Sequence, residues 1–122
     1  MPKTILVIED EMDCLALMEH ILLAAGYAVV KAVNGADGLK AFEEEKPDLV
    51  LLDLKLPDMD GLDVCGKIRS GGVRAKTPIL FCSVRSGVAS VAHALESGAD
   101  DYVLKPYDAD DLVARIEAAL KK

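Results

Sequence analysis

The chain has no tryptophan, and its two Phe and three Tyr make up only 4% of it. No broad ring is available to cover a flavin. Cysteine is scarce too: Cys14, Cys65 and Cys82 are odd in number, widely spaced and free of any Cys-x-x-Cys pair. That argues against a disulfide framework or a cysteine metal site and reads as three small core residues in a reducing compartment. No apolar run approaches the roughly 20 residues that a membrane span needs. The start, Met1-Pro2-Lys3-Thr4, passes directly into a strand pattern with no h-region and no cleavage site. A cytoplasmic location and no membrane partner are therefore expected. Basic residues are outnumbered by acids, 14 to 21, for a net charge of −7, which disfavours direct binding to nucleic acid or to an anionic membrane. There are no repeats, no low-complexity segments and no linker.

What remains is a well-mixed sequence, 52% apolar and 29% charged over 122 residues, enough to fill one ordinary core. Strand signals fall at Thr4–Ile8, Ala28–Ala32, Leu49–Leu52, 79–82 and 102–104, and helical periods lie between them. Cys14, Leu17, Met18, Ile21 and Leu22 form the stripe expected of the first helix, with Gly26 stopping it. Asn34 has the position of an N-cap, with Asp37 three residues on, before a helix carrying Leu39 and Phe42. Val64, Cys65 and Ile68 stripe a third helix after Asp60-Gly61. Val88, Val91, Ala92 and Leu95 stripe a fourth, closed by Gly98. Asp108 can cap the last, whose inner face is Leu112, Val113, Ile116, Ala119 and Leu120. The stretch 70–76 reads as an exposed loop.

Strand and helix alternate five times through short links, which implies right-handed crossovers and a parallel sheet. Strands apolar throughout imply helices on both faces. The expected fold class is α/β: a three-layer sandwich around a five-stranded parallel sheet, flavodoxin-like in its order 2-1-3-4-5. That order sets the first and third strands side by side and brings their carboxyl ends together at the topological switch point.

Those ends carry the chemistry. The first strand finishes in Glu9-Asp10-Glu11, the third, Leu49-Val50-Leu51-Leu52, in Asp53, and the last in Lys105-Pro106. Carboxylates gathered within a few ångströms raise one another's pKa unless a cation neutralises them. A hard, incomplete oxygen site suits Mg²⁺. Asp53 can then serve both as a metal ligand and as a nucleophile toward phosphorus. Lys105 can pair with a phosphoryl group or, before transfer, with Asp53. Ser83, at the end of the fourth strand, can donate to a phosphoryl oxygen. Taken singly, each has a plainer reading: Asp53 as a turn residue, Glu9-Asp10-Glu11 as a helix cap, Lys105 as a solvated lysine, Ser83 as a turn former. Their joint arrival at successive strand ends favours the site. A dehalogenase-type phosphatase would need a second aspartate two residues after Asp53, where Lys55 stands. A flavodoxin-type cofactor binder would need a Gly- and hydroxyl-rich loop after the first strand, where three acids stand.

The chain resembles the response-regulator receiver domains of two-component signalling along essentially its whole length. The residues that carry the likeness are Ile5-Leu6-Val7-Ile8-Glu9-Asp10-Glu11, Leu51-Leu52-Asp53-Leu54-Lys55-Leu56-Pro57-Asp58-Met59-Asp60-Gly61, Ser83, and Gly98-Ala99-Asp100-Asp101-Tyr102-Val103-Leu104-Lys105-Pro106-Tyr107. The resemblance implies a phosphoacceptor switch rather than an enzyme. Asp53 would take a phosphoryl group from a histidine kinase or phosphotransfer protein. Glu9, Asp10, Asp53 and the backbone carbonyl of Lys55 would hold Mg²⁺. Lys105 would be the phosphate contact, Ser83 and Tyr102 the switch pair, and the Lys105-Pro106 bond cis. On switching, Tyr102 is expected to turn inward into space vacated by Ser83, and the surface of the fourth helix, fifth strand and fifth helix, 86–120, would signal to a downstream protein target or a fused output domain.

The sequence departs from the common pattern in having Glu9 where aspartate is frequent and Ser83 where threonine is frequent. Lys55 and Arg85 both flank the site and are expected to obstruct hydrolytic water. His20 and His93 fall on helices away from the acids. Residues 1–122 are read as a single receiver domain with no output domain, either free-standing or excised from a longer protein.

Overall fold

The computed structural model describes residues 2–72, 76–84 and 88–121. Five strands, β1 (Thr4–Ile8), β2 (Ala28–Ala32), β3 (Leu49–Leu52), β4 (Ile79–Ser83) and β5 (Asp101–Leu104), alternate with α1 (Met12–Ala24), α2 (Gly35–Glu45), α3 (Gly61–Arg69), α4 (Val88–Glu96) and α5 (Ala109–Leu120). The sheet is parallel throughout, in the order β2-β1-β3-β4-β5. The expected fold class and strand order are both observed.

Strand alternation divides the core into two layers. Leu6, Ile8, Val50, Leu52, Ile79, Phe81 and Tyr102 face α2, α3 and α4, where Phe42, Val64, Cys65, Ile68 and Ala94 meet them. Ile5, Val7, Leu49, Leu51, Leu80, Cys82 and Val103 face the opposite way, onto Leu15, Met18 and Leu22 of α1 and Leu112, Ile116 and Ala119 of α5. Two helices start at the caps expected for them: Asn34 Oδ1 accepts from Asp37 N at 2.7 Å, and Asp108 caps α5; Asp60 caps α3 in addition.

Two stripes differ from expectation. In α1 the buried line is Leu15, Met18 and Leu22, while Leu17 is 52% exposed. This helix is apolar nearly all round, with Ala16, Leu23 and Ala24 also exposed, so periodicity does not locate its inner face. In α4, Ala94 is buried and Leu95 is 46% exposed. The small Ala94 lets α4 approach the sheet closely. Cys65 and Cys82 are buried and Cys14 is half-buried, all as free thiols. The expected loop at 70–76 falls partly outside the described residues, at 73–75.

Arg69 ties the far end of the sheet together. Its Nε donates to Gly98 O at 2.8 Å, Nη1 to Thr77 O at 2.6 Å and Nη2 to the Asp100 carboxylate at 2.9 Å. Its stem packs against Gly98, whose φ of +110° suits a residue without a side chain. Arg69→Ala leaves two partly covered carbonyls without this donor and is expected to cost about 2 kcal/mol in urea unfolding. A change indistinguishable from zero would show that water replaces the guanidinium at no cost.

Candidate functional site

Register builds the site. Ile8 pairs with Leu52, and Asp53 N continues the ladder to Ile8 O at 3.1 Å, so Glu9 and Asp53 emerge from neighbouring strands at one level. Ser83 pairs with Leu104, and Lys105 N donates to Ser83 O at 2.9 Å. Alternation does the rest. Glu9 follows Ile5 and Val7, Asp53 follows Leu49 and Leu51, and Lys105 follows Val103, so all three continue the α1/α5 side of the sheet. Ser83 follows Ile79 and Phe81 on the other side.

One open cavity is lined by Glu9, Asp10, Asp53, Lys55, Ser83 and Lys105, together with Glu11, Met12, Asp13, Cys14, Leu56, Pro57 and Val84. One carboxylate oxygen from each of Glu9, Asp10 and Asp53 lies within 4.8 Å of the others. Glu9 is buried, Asp53 half-buried and Asp10 exposed. Three hard oxygen donors graded from core to solvent, with one side open, fit an Mg²⁺ ion that keeps several waters.

Lys105 is the countercharge present. Its ammonium hydrogen-bonds Glu9 Oε1 and stands 3.8 Å from Asp53 Oδ2. The expected pairing with Asp53 is thus the longer of two contacts, and the short one to Glu9 was not foreseen. The extra methylene of glutamate over aspartate accounts for that reach. Glu9 Oε2 also accepts from Glu11 N at 3.1 Å. Burial drives the Glu9 pKa above its ordinary 4.5, and the nearby charge of Asp53 adds to this, against the lowering effect of Lys105. Burial opposes the charge on Lys105, but its bond to Glu9 and the negative fields of Asp53 and Glu9 outweigh it and raise its pKa.

Other residues divide between site and scaffold. Glu11 is the N-cap of α1, accepting from Asp13 N and Cys14 N at 3.1 and 3.0 Å, so the plain capping reading holds for this acid at the cavity wall, while Glu9 and Asp10 join Asp53 in the oxygen cluster. Cys14 forms part of the wall. Its hydrogen bond to Glu11, with burial, raises its pKa to about 11, and burial raises that of Cys82 to about 12, so both stay thiols at neutral pH. The Lys105-Pro106 bond is cis. Tyr102 does not line the cavity. It is 8% exposed and its ring lies 6.3 Å from that of Phe81. His20 and His93 are exposed on α1 and α4. Arg85 lies outside the described residues.

A family model described as the response regulator receiver domain matches residues 5–117. The chain belongs to that family, the phosphoacceptor receivers of two-component phosphorelays, which are signalling domains rather than a family of enzymes. It is 43% identical over 118 residues to the transcriptional regulatory protein KdpE of Mycobacterium tuberculosis, a match spanning 97% of this chain and 51% of that protein. The chain spans about half the length of the curated relatives it matches. Among solved structures it is similar to a CheY-like response regulator receiver domain protein from Methanospirillum hungatei JF-1, at 30% identity and a TM-score of 0.92 over 99% of this chain and 95% of that one. It is also similar to the BeF3-activated N-terminal receiver domain of Klebsiella pneumoniae RstA, at 31% and 0.89 over 98% and 99%. No helix among the described residues is long and apolar enough to cross a membrane.

The Glu9–Lys105 pair generates a pH signature. Lys105→Met removes the partner of a carboxylate whose side chain is 2% exposed, and an orphaned buried charge is expected to cost about 2–3 kcal/mol near pH 8 without metal. A raised Glu9 pKa means that the folded state binds this proton more tightly than the unfolded chain. Stability contributed by protonated Glu9 is therefore present below its ordinary value and lost as pH rises through its folded pKa. The mutational cost should shrink on acidification toward about pH 5. Denaturant unfolding in EDTA at several pH values checks this, and a pH-independent cost would contradict it.

Proposed function

We propose that Asp53 is the phosphoacceptor of this receiver and that it takes its phosphoryl group from a histidine kinase or phosphotransfer protein. The observation that carries the reading is the half-buried Asp53 carboxylate beside the Glu9 and Asp10 oxygens, with the Lys105 ammonium at 3.8 Å. Glu9, Asp10, Asp53 and the backbone carbonyl of Lys55 would hold Mg²⁺. When bound, that ion supplies charge neutralisation for the phosphoryl oxygens. A free carboxylate oxygen of Asp53 attacks phosphorus as the P–N bond to the donor imidazole breaks, and the electron pair leaves with the imidazole nitrogen. Lys105 pairs with a phosphoryl oxygen, and Ser83 donates its hydroxyl proton in a hydrogen bond to another. Exposed Lys55 obstructs the in-line path of hydrolytic water. The protein's catalysis is confined to its own phosphorylation and dephosphorylation, and it acts in the cytoplasm.

The output is carried by α4, β5 and α5. Ser83 and Phe81 share a sheet face with Tyr102, which supports coupling from the phosphoryl site to that surface. Phosphorylation acts by shifting the population of arrangements of Ser83, Tyr102 and this surface. The recipient is a downstream protein or an output domain in the same polypeptide as residues 1–122. Neither direct nucleic-acid binding nor membrane attachment is assigned to the receiver itself.

A small phosphodonor with Mg²⁺ is expected to add one base-labile phosphoryl group by intact mass. Asp53→Asn abolishes it and EDTA suppresses it, whereas an unchanged mass for folded wild type with ample Mg²⁺ would refute the assignment. BeF3⁻ is expected to shift amide NMR signals across α4, β5 and α5, and Ser83→Ala should diminish those shifts while Asp53 still binds the mimic. Shifts confined to the loop after Asp53 would contradict the switch.

A further inference from the structure

The segment between Asp53 and α3 is fastened at one end to a different helix. Both carboxylate oxygens of Asp58 are used there: Oδ1 accepts from Gly35 N at 2.7 Å and Oδ2 from Ala36 N at 2.9 Å. These are the first two backbone donors of α2, which a helix leaves unpaired. The third, Asp37 N, already goes to the local cap Asn34. Beside this contact, Met59 packs onto Gly35 so closely that a methyl group on Gly35 would overlap its side chain.

Within the loop, other residues hold the backbone. Asp60 caps α3 by accepting from Leu62 N at 2.9 Å, and Gly61 N donates to Leu54 O at 2.7 Å. Leu54 and Leu56 are buried. Gly61 sits against the backbone of Asp53 and Leu54 with no space for a side chain. Lys55 also bridges to Asp60. The loop is therefore held at its base and at its α3 end. Asp58 and Met59 supply the third fixing point, on α2, while Lys55, Leu56 and Pro57 help to line the cavity. Three anchors fix the orientation of a short backbone segment where two would let it pivot.

We propose that Asp58 is a positioning residue: by clamping this loop to the N-terminus of α2 it sets the Lys55 carbonyl in place for a divalent cation. The inference rests on the reading of Asp53 and its neighbours as an Mg²⁺ and phosphoryl site. Asp58 itself touches neither. A charged acceptor suits the task because the helix N-terminus favours negative charge, and the two N–H bonds hold the Asp58 carboxyl below the usual carboxylate range.

The test is Mg²⁺ affinity measured by calorimetry on the full chain. Asp58→Ala is expected to weaken binding about tenfold, in the range seen when outer groups that orient metal ligands are removed. Asp58→Asn keeps the volume and one acceptor oxygen, so it should fold and fall between the two. Asn34→Ala is the control for mere helix capping: it should lower the melting temperature while leaving Mg²⁺ affinity unchanged. Hydrogen exchange at Gly35 and Ala36 should quicken in both Asp58 variants. Equal affinity in wild type and Asp58→Asn or Asp58→Ala would overturn the proposal, as would an equal loss in Asn34→Ala. Wild type that binds no Mg²⁺ and accepts no phosphoryl group would instead fail the site reading, and this inference with it.

Discussion

Everything at this site follows from gathering like charges where they repel. Two carboxylates within 4.8 Å oppose each other by roughly 3 kcal/mol when both are ionised at an effective dielectric of about 20. Here three meet, and one of them, Glu9, is 1% exposed. A chain adopts that arrangement only if something else holds the strand ends in register. The holding is done by the two apolar layers of the sheet, which fix β1 against β3 residue by residue, and by a single lysine that reaches across from β5.

Lys105 shows how economical the arrangement is. Alternation sends it to the same side of the sheet as Glu9 and Asp53. Its half-buried ammonium faces two acids at once, bonded to the buried one and near the more accessible one. The accessible acid thereby keeps an oxygen available for chemistry. The opposite face of the same strand ends carries Ser83, Phe81 and Tyr102. The sheet edge therefore has a charged side, where a phosphoryl group can be received, and a packed side, where its arrival can be felt.

Much of this was legible in the sequence because it depends on order and composition. Four apolar residues in a row before Asp53 mark a buried parallel strand, and the alternation of elements then implies the sheet order and the meeting of Glu9, Asp10 and Asp53. The cap positions Asn34 and Asp108 were equally plain, since a cap is a local device. What escaped was tertiary. The inner face of α1 could not be read from a helix with leucines and alanines on every side, so Leu17 was placed inside and Leu15 overlooked. The bond from Lys105 to Glu9 depends on a distance across three strands. The role of Asp58 has no local signal, because its partners, Gly35 and Ala36, are 23 and 22 residues away. The packing of the Tyr102 ring 6.3 Å from that of Phe81 is likewise tertiary.

The central claim is that Glu9, Asp10 and Asp53 act as one divalent-cation and phosphoryl site. The most direct measurement is ¹³C NMR of the carboxyl groups during titration with Mg²⁺. The account predicts saturable, concerted shifts at these three carboxyls, with the same midpoint, while those of Glu11, Asp58 and Asp60 stay comparatively still. Shifts that appear instead at the exposed acids of α2 or α5, with Glu9, Asp10 and Asp53 unmoved, would contradict it.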